Sequence, residues 1–131
     1  MADPCFYRVS VKGLAVNAVG HVLLALEDNG LWDLPGGGLE HNEDPIAGLK
    51  REIHEETGLE VVSVSNTPKC FLTSTRHGHD DYTANVIYEI ELKNLEFIPS
   101  DECRELRYCS IEDMRQMPLY PNVTKLLEII S

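Results

Sequence analysis

The run Pro35-Gly36-Gly37-Gly38 separates two kinds of sequence within this chain. Three adjacent glycines disfavour helix and strand alike, so the run is expected to be a loop. Before it, Arg8 to Val19 and His21 to Glu27 are rich in Val, Ala and Leu and read as strands. Asp28-Asn29-Gly30 then carries the Asn-Gly hairpin signal, with Leu31 to Leu34 as the returning strand. After the glycines, Asp44-Pro45 reads as a helix start, with aspartate as cap and proline in the first turn. Leu49 and Ile53, with Ile46, recur at helical spacing, and Gly58 is a suitable stop.

Beyond that helix the pattern returns to strands. Glu60 to Thr75 and Tyr82 to Leu92 are β-rich, and the polar, glycine-containing Arg76 to Asp81 reads as the loop between them. Leu106 to Ser110 reads as a short strand, Ile111 to Met117 as a short helix and Asn122 to Ile130 as a terminal helix. Strands on both sides of one central helix, with another helix at the end, predict an α/β fold with a mixed sheet covered on two faces. With 131 residues and no repeat or linker, the chain is expected to form one domain spanning 1–131.

The longest apolar runs, such as Val22 to Leu26, are too short to span a bilayer. Met1-Ala2-Asp3-Pro4 lacks a basic region followed by an apolar stretch, which predicts no secretion leader and a cytoplasmic location. There Cys5, Cys70, Cys103 and Cys109 would be reduced thiols, and their spacing does not suggest a zinc site. The formal charge of −11 argues against a nucleic-acid polymer as partner, since such binding needs a basic stripe. The same charge would repel any phosphate-bearing substrate unless a divalent cation bridged it to the protein.

The helix supplies groups for such a cation. Glu52, Glu55 and Glu56 stand at i, i+3 and i+4, on adjoining positions of one face. Their mutual repulsion costs about 0.2–0.5 kcal/mol per pair, and they lie toward the helix end that disfavours anions. A helix that needed only to be soluble would alternate its signs. Bound to a hard cation, which takes oxygen ligands, the three carboxylates become an asset.

Gly37, Glu43, Arg51, Glu52, Ile53, Glu55, Glu56, Gly58 and Leu59 fill every fixed position of the pattern G-x5-E-x7-R-E-U-x-E-E-x-G-U, where U is a bulky aliphatic residue. The segment thereby resembles the signature of the Nudix hydrolase family, of the MutT-like kind. The lead-in Leu31-Trp32-Asp33-Leu34-Pro35-Gly36-Gly37 is similar as well. The resemblance implies an α/β/α sandwich with a catalytic loop–helix–loop. It implies metal ligation by Glu52, Glu55, Glu56 and a glycine-loop carbonyl, that of Gly36, with magnesium as the ion and manganese as a substitute. Glu43 and Arg51 would be structural, Arg51 pairing with Glu43 across the loop and with Glu55 one turn on, while Gly37 belongs to the loop itself. Family members often add an acidic residue from a later loop; Glu102 is the candidate here. The expected chemistry is in-line attack of water on a phosphorus of a nucleoside diphosphate linked to a variable group, with Glu52 and Glu102 as rival bases.

Several positions depart from the common pattern. Asn42 stands where many members carry glycine, and asparagine tolerates the left-handed conformation. Gly48 replaces a usual alanine at about 1 kcal/mol of helix propensity, which suggests close packing against the sheet. Glu27 stands where many relatives have a phosphate-contacting arginine, leaving Arg8 and Arg76 as candidates for that contact. Trp32 is a candidate to stack on a base, or else the inward residue of a short strand. Asn122 is a candidate base contact, or else a helix cap. His77 and His79, in a glycine-containing turn, read as an exposed loop.

The resemblance extends to a small nucleotide as substrate and to a monomer or homodimer. Short members without further signatures most resemble the group that converts nucleoside or deoxynucleoside triphosphates, oxidised ones included, to monophosphate and pyrophosphate. An ADP-sugar or dinucleoside polyphosphate hydrolase is the enzymatic alternative. A nucleotide-sensing domain without turnover is the alternative of another class.

Overall fold

The structure, a computed structural model, describes residues 5–130; the Met1–Pro4 stretch read above for a leader lies outside the described residues. In chain order the elements are β1 (Tyr7–Leu14), β2 (Val22–Leu26), β3 (Trp32–Asp33), β4 (Gly36–Gly38), α1 (Pro45–Thr57), β5 (Val61–Val64), β6 (Cys70–Thr75), β7 (Tyr82–Leu92), β8 (Glu105–Cys109), α2 (Ile111–Arg115) and α3 (Pro121–Ile130). No helix of the described residues is long and apolar enough to cross a membrane.

The long strand β7 organises the larger sheet. Strand β1 runs parallel to it, from Tyr7 opposite Tyr82 to Leu14 opposite Glu89. The other edge of β7 is shared by β6 and β5, both antiparallel, and β4 closes the far side of β1. A smaller sheet has the order β3-β2-β8, all antiparallel.

Side-chain alternation along the strands feeds two cores. Val11, Leu23, Tyr88 and Ile90 pack with Leu49 and Ile53 of α1. Leu14, Val22, Leu24 and Ile87 pack on the other side with Met114 of α2 and with Val123 and Leu126 of α3. The result is a strand layer between helices, the mixed α/β arrangement expected.

Local signals set the ends of α1. The Asp44 carboxylate accepts from the backbone N–H groups of Ile46 and Ala47, both at 3.1 Å. At the other end Gly58, with φ 77°, turns its N–H back onto the His54 carbonyl. Ahead of the helix Asn42 adopts φ 64°, the left-handed turn its position required.

Three expectations change. Gly36–Gly38 is a strand, because β1 presents a row of backbone partners; Val11 lies opposite Gly37 and Lys12 opposite Gly36. Gly36 has φ +132°, and an added Cβ would come within 2.9 Å of the Lys12 Cα, so the close pairing itself requires glycine there. The first strand ends at Leu14 rather than Val19 because Asn17 closes a turn, its Oδ1 accepting from Val19 N and His21 N. Glu60 to Thr75 divides into β5 and β6, and Ser65 between them bonds to the backbone of Glu89 on β7.

Candidate active site

The loop from β4 to α1 is held by one arginine. Arg51 Nε lies 2.6 Å from Glu43 Oε2 and its Nη2 lies 2.9 Å from Glu43 Oε1. Its Nη1 reaches Glu52 at 3.1 Å and Glu55 at 3.0 Å. The hydrogen bond from Arg51, aided by the Glu40 N–H, pulls the Glu43 carboxyl down to about 2, and the Glu43 bond in turn raises the Arg51 guanidinium. Gly48 lets α1 lie against this pair; an added Cβ would sit 2.7 Å from Glu43 Oε1 and 2.8 Å from Leu39 Cδ1. The close approach expected at Gly48 is therefore to the loop rather than to the sheet.

Next to this hub is a cleft lined by Gly36–Gly38, Glu52, Glu56, Glu102, Glu27, Lys12, Arg8 and Arg76. Glu56 Oε1 is sealed from solvent without a hydrogen-bond partner. Burial pushes the Glu56 carboxyl up to about 8; the Lys12 ammonium opposes that shift, and Asp33, Glu27 and Glu102 add to it. Glu52 fits beside Gly37, where an added Cβ would lie 2.6 Å from the Glu52 Cδ. Glu55 is exposed, turned to Arg51, and is not among the residues lining the cleft.

Glu102 comes from a loop fastened at several points. Ser100 and Cys103 exchange backbone hydrogen bonds, Arg104 N donates to the Leu26 carbonyl at 2.7 Å, and Asp28 N donates to the Asp101 carbonyl at 3.2 Å. Arg104 also pairs with Asp28 of the β2–β3 hairpin. Cys103 is buried beneath this loop and its thiol is pushed up to about 12, chiefly by burial.

A second cleft opens from the first, lined by Asp33, Asn85, Tyr120, Asn122, His77 and His79 among others. Buried Lys12 donates to Asp33 Oδ2 at 2.9 Å and reaches the carbonyls of Leu34 and Gly36, both at 3.4 Å. Burial acts to lower the Lys12 ammonium, but Asp33 and then Glu56 more than offset it, and the net shift is upward. Asp33 Oδ1 accepts from Leu34 N at 2.7 Å and from Asn122 Nδ2 at 3.0 Å. A carboxylate can only accept, so the Asn122 nitrogen must face Asp33. Asn122 Nδ2 also donates to Asn85 Oδ1 at 3.3 Å. At the junction of the clefts, Tyr120 donates its hydroxyl hydrogen to Glu27 at 2.9 Å and accepts from Asn29 at 2.8 Å. Burial raises the Glu27 carboxyl despite that bond.

The residues singled out in the sequence therefore separate. Arg8, Gly36, Glu52, Glu56, Arg76 and Glu102 meet in the first cleft, and Asn122 lines the second. Asn122 is not a cap: α3 begins at Pro121, and the asparagine is buried within the first turn. Trp32 is a core residue with Arg107 stacked on its ring at 4.9 Å, and lines neither cleft; its short strand points it inward, which removes it as a platform for a base. Arg8 donates to the Leu39 carbonyl at 2.7 Å and Arg76 pairs with Asp81 at 3.2 Å. Lys12 and Asn85 carry no motif, and Asp33 and Tyr120 stand out only as neighbours of the glycine run and of Asn122. One signal was available: Lys12 is a charged residue inside the strand-like segment Val9 to Leu14, where an inward position demands a partner.

The first cleft fits a hard divalent cation. Its donors are carboxylate oxygens beside the glycine strand, and the unpartnered Glu56 oxygen is the sort of buried group that a cation would satisfy. Among the described residues no three acidic, histidine or cysteine side chains are gathered closely enough to hold a metal ion by themselves.

Comparison with known proteins agrees with this geometry. The chain matches the model of the NUDIX domain over residues 6–128. It is 48% identical over 60 residues to a MutT-like protein of Streptomyces ambofaciens, covering 45% of this chain and 39% of that one. It is 32% identical over 107 residues to a Mycobacterium tuberculosis protein provisionally named 8-oxo-dGTP diphosphatase 3, covering 77% and 47% respectively. The chain thus spans less than half the length of these curated relatives. Among solved structures, the MutT protein from Methanosarcina mazei superposes with a TM-score of 0.79 at 25% identity, covering 97% of this chain and 94% of that one. A family model matched over so much of the sequence, with the glycine strand and carboxylate helix inside it, settles the assignment: the chain belongs to the Nudix domain family.

Proposed function

We propose that this chain is a magnesium-dependent pyrophosphohydrolase that cleaves nucleoside or deoxynucleoside triphosphates, oxidised ones included, to monophosphate and pyrophosphate. The carrying observation is that Glu56, with one oxygen buried and unpartnered, lines the same cleft as Glu52 and Glu102. That cleft runs directly into one lined by amide and hydroxyl groups suited to a nucleoside. Glu52, Glu56 and the Gly36 carbonyl would hold the ion, with Glu55 at its margin. Magnesium, or manganese in its place, would supply charge neutralisation on the phosphates and a more acidic water.

The chain's own residues do the rest. Arg8 and Arg76 stand on the cleft wall where they can bind phosphate oxygens. Arg51 holds Glu52 in place through its grip on Glu43. Glu102 and Glu52 are the carboxylates able to take the proton of the attacking water. Asn122, oriented by Asp33, would meet the base with its carbonyl oxygen. The relatives' names, MutT-like and 8-oxo-dGTP diphosphatase, support a nucleotide substrate. All four cysteines carry free thiols, which suits a cytoplasmic enzyme, and nothing in the proposal requires more than a monomer or homodimer.

The test is a panel of nucleoside and deoxynucleoside triphosphates, ADP-sugars and dinucleoside polyphosphates incubated with magnesium and the purified protein. Release of pyrophosphate from a triphosphate is expected, and Glu56→Gln should lower kcat by orders of magnitude while the fold persists. Binding without turnover across the whole panel would point to a nucleotide sensor.

A further inference from the structure

We propose that Glu27 reads the sugar of the substrate and makes the protein prefer ribonucleotides to 2′-deoxyribonucleotides; the proposal rests on the nucleotide reading given above. The two clefts share Ser10, Lys12, Glu27, Arg76 and Thr83, and these side chains form the neck between them. A nucleotide with its phosphates over Glu52 and Glu56 and its base beside Asn122 must lay its sugar across that neck.

Among the neck residues the Ser10 hydroxyl has no hydrogen-bond partner among the described residues, whereas Lys12, Arg76 and Thr83 each have at least one. Lys12 is committed to Asp33 and to the carbonyls of Leu34 and Gly36. Arg76 pairs with Asp81 through Nη1, leaving its other nitrogens for phosphate oxygens. The Thr83 hydroxyl is shared with Asn85 and Ser74. Glu27 alone among them offers an anionic acceptor: Oε1 accepts the Tyr120 hydroxyl hydrogen, whereas Oε2 has no partner among the described residues and is not sealed from solvent. Glu27 is the one carboxylate of the neck, and a carboxylate only accepts. It repels a phosphate and welcomes a hydroxyl. A ribose, with vicinal 2′- and 3′-hydroxyls, can donate twice to such a group, as acidic side chains do to ribose in dinucleotide-binding folds. A 2′-deoxyribose can donate once.

Tyr120 makes the arrangement selective. Its bond to Glu27, itself steadied by Asn29, fixes the carboxylate so that the free oxygen keeps one direction. A missing 2′-hydroxyl costs this fixed, partly desolvated anion one of the two hydrogen bonds a ribose would donate, and a charge-assisted hydrogen bond is worth enough to discriminate between the sugars.

The experiment compares kcat/KM for matched ribo and 2′-deoxyribo pairs (ATP with dATP, GTP with dGTP, CTP with dCTP) at saturating magnesium. The unmodified protein should favour the ribonucleotide by roughly tenfold or more, whatever the base. Glu27→Ala should bring each ratio to within about twofold. Equal rates for both sugars with the unmodified protein, or a ratio that survives Glu27→Ala, overturns the sugar-reading role and leaves the hydrolase proposal standing. Should no nucleotide turn over, calorimetric binding of the matched α,β-methylene analogues reads the same ratio. Equal affinities then refute this role, and absence of any binding refutes the nucleotide reading with it.

Discussion

Arg51 grips both oxygens of Glu43 across the turn into α1, at 2.6 and 2.9 Å, while one nitrogen of the same guanidinium reaches Glu52 and Glu55. One planar cation thus ties the loop to two of the acidic side chains of the helix. Arg51→Ala should weaken magnesium binding or activity about 10–100-fold, the usual cost of removing a group that orients metal ligands. Arg51→Lys should rescue little, because an ammonium cannot reproduce the two-pronged contact. Isothermal titration with magnesium and steady-state kinetics would check both.

The same pair sets an acid limit on stability. The Glu43 carboxyl, held at about 2, lies below the ordinary value of 4.5. A carboxyl lowered in the folded state contributes stability that is present above 4.5 and lost as pH falls toward 2. Glu43→Gln should flatten the pH dependence of denaturation midpoints in that window. An unchanged slope would show that Glu43 is not the titrating group.

Glu56 has the opposite sign. With its folded value near 8 and burial as the main cause, the folded metal-free protein binds a proton that the unfolded chain has released. Stability without metal should therefore decline as pH rises from about 4.5 toward 8, and Glu56→Gln should lack that decline. Magnesium binding at pH 7 should expel the proton, and affinity should rise with pH up to about 8. Calorimetry in two buffers of different ionisation enthalpy would detect the released proton; a binding heat independent of buffer would contradict it.

Gly37→Ala isolates the room that the glycine strand leaves for Glu52. An added methyl would lie 2.6 Å from the Glu52 Cδ, so the carboxylate must move. Shifting the end of a flexible side chain is cheap for the fold, and harmful to metal binding if Glu52 is the ligand proposed above. Activity should fall about tenfold or more with Tm changed by only a few degrees, since displaced ligands weaken metal sites before they unfold them. A large drop in Tm with activity per folded molecule retained would contradict this account.

Lys12 and Asp33 form an ion pair in which both side chains are at most 10% exposed. Lys12→Met leaves Asp33 as an uncompensated buried anion and should cost about 3–5 kcal/mol in urea unfolding. Adding Asp33→Asn should recover part of that loss, because the pair's value lies mainly in mutual neutralisation.

Local features decided a good deal from the sequence alone. Asp44, Pro45 and Gly58 bound α1, and the spacing of Leu49 and Ile53 chose its buried face, because capping and periodicity act within a few residues. The Asn29-Gly30 hairpin and the span of β7 were legible for the same reason. The tertiary structure decided what depends on distant partners. Gly36–Gly38 is a strand because β1, more than twenty residues earlier, supplies its hydrogen bonds. Glu55 turns outward to Arg51 while Glu56 sends one oxygen into a buried position, a division that helical spacing treats as equivalent. Asp33, Asn85 and Asn122 join only where α3, packed on β6 and β3, brings Asn122 to Asn85 of β7, and Trp32 loses its candidate role because its strand directs it into the core. The glycine run and the carboxylate helix were written in order along the chain; the neck between the clefts, with Glu27 in it, exists only where separate strands meet.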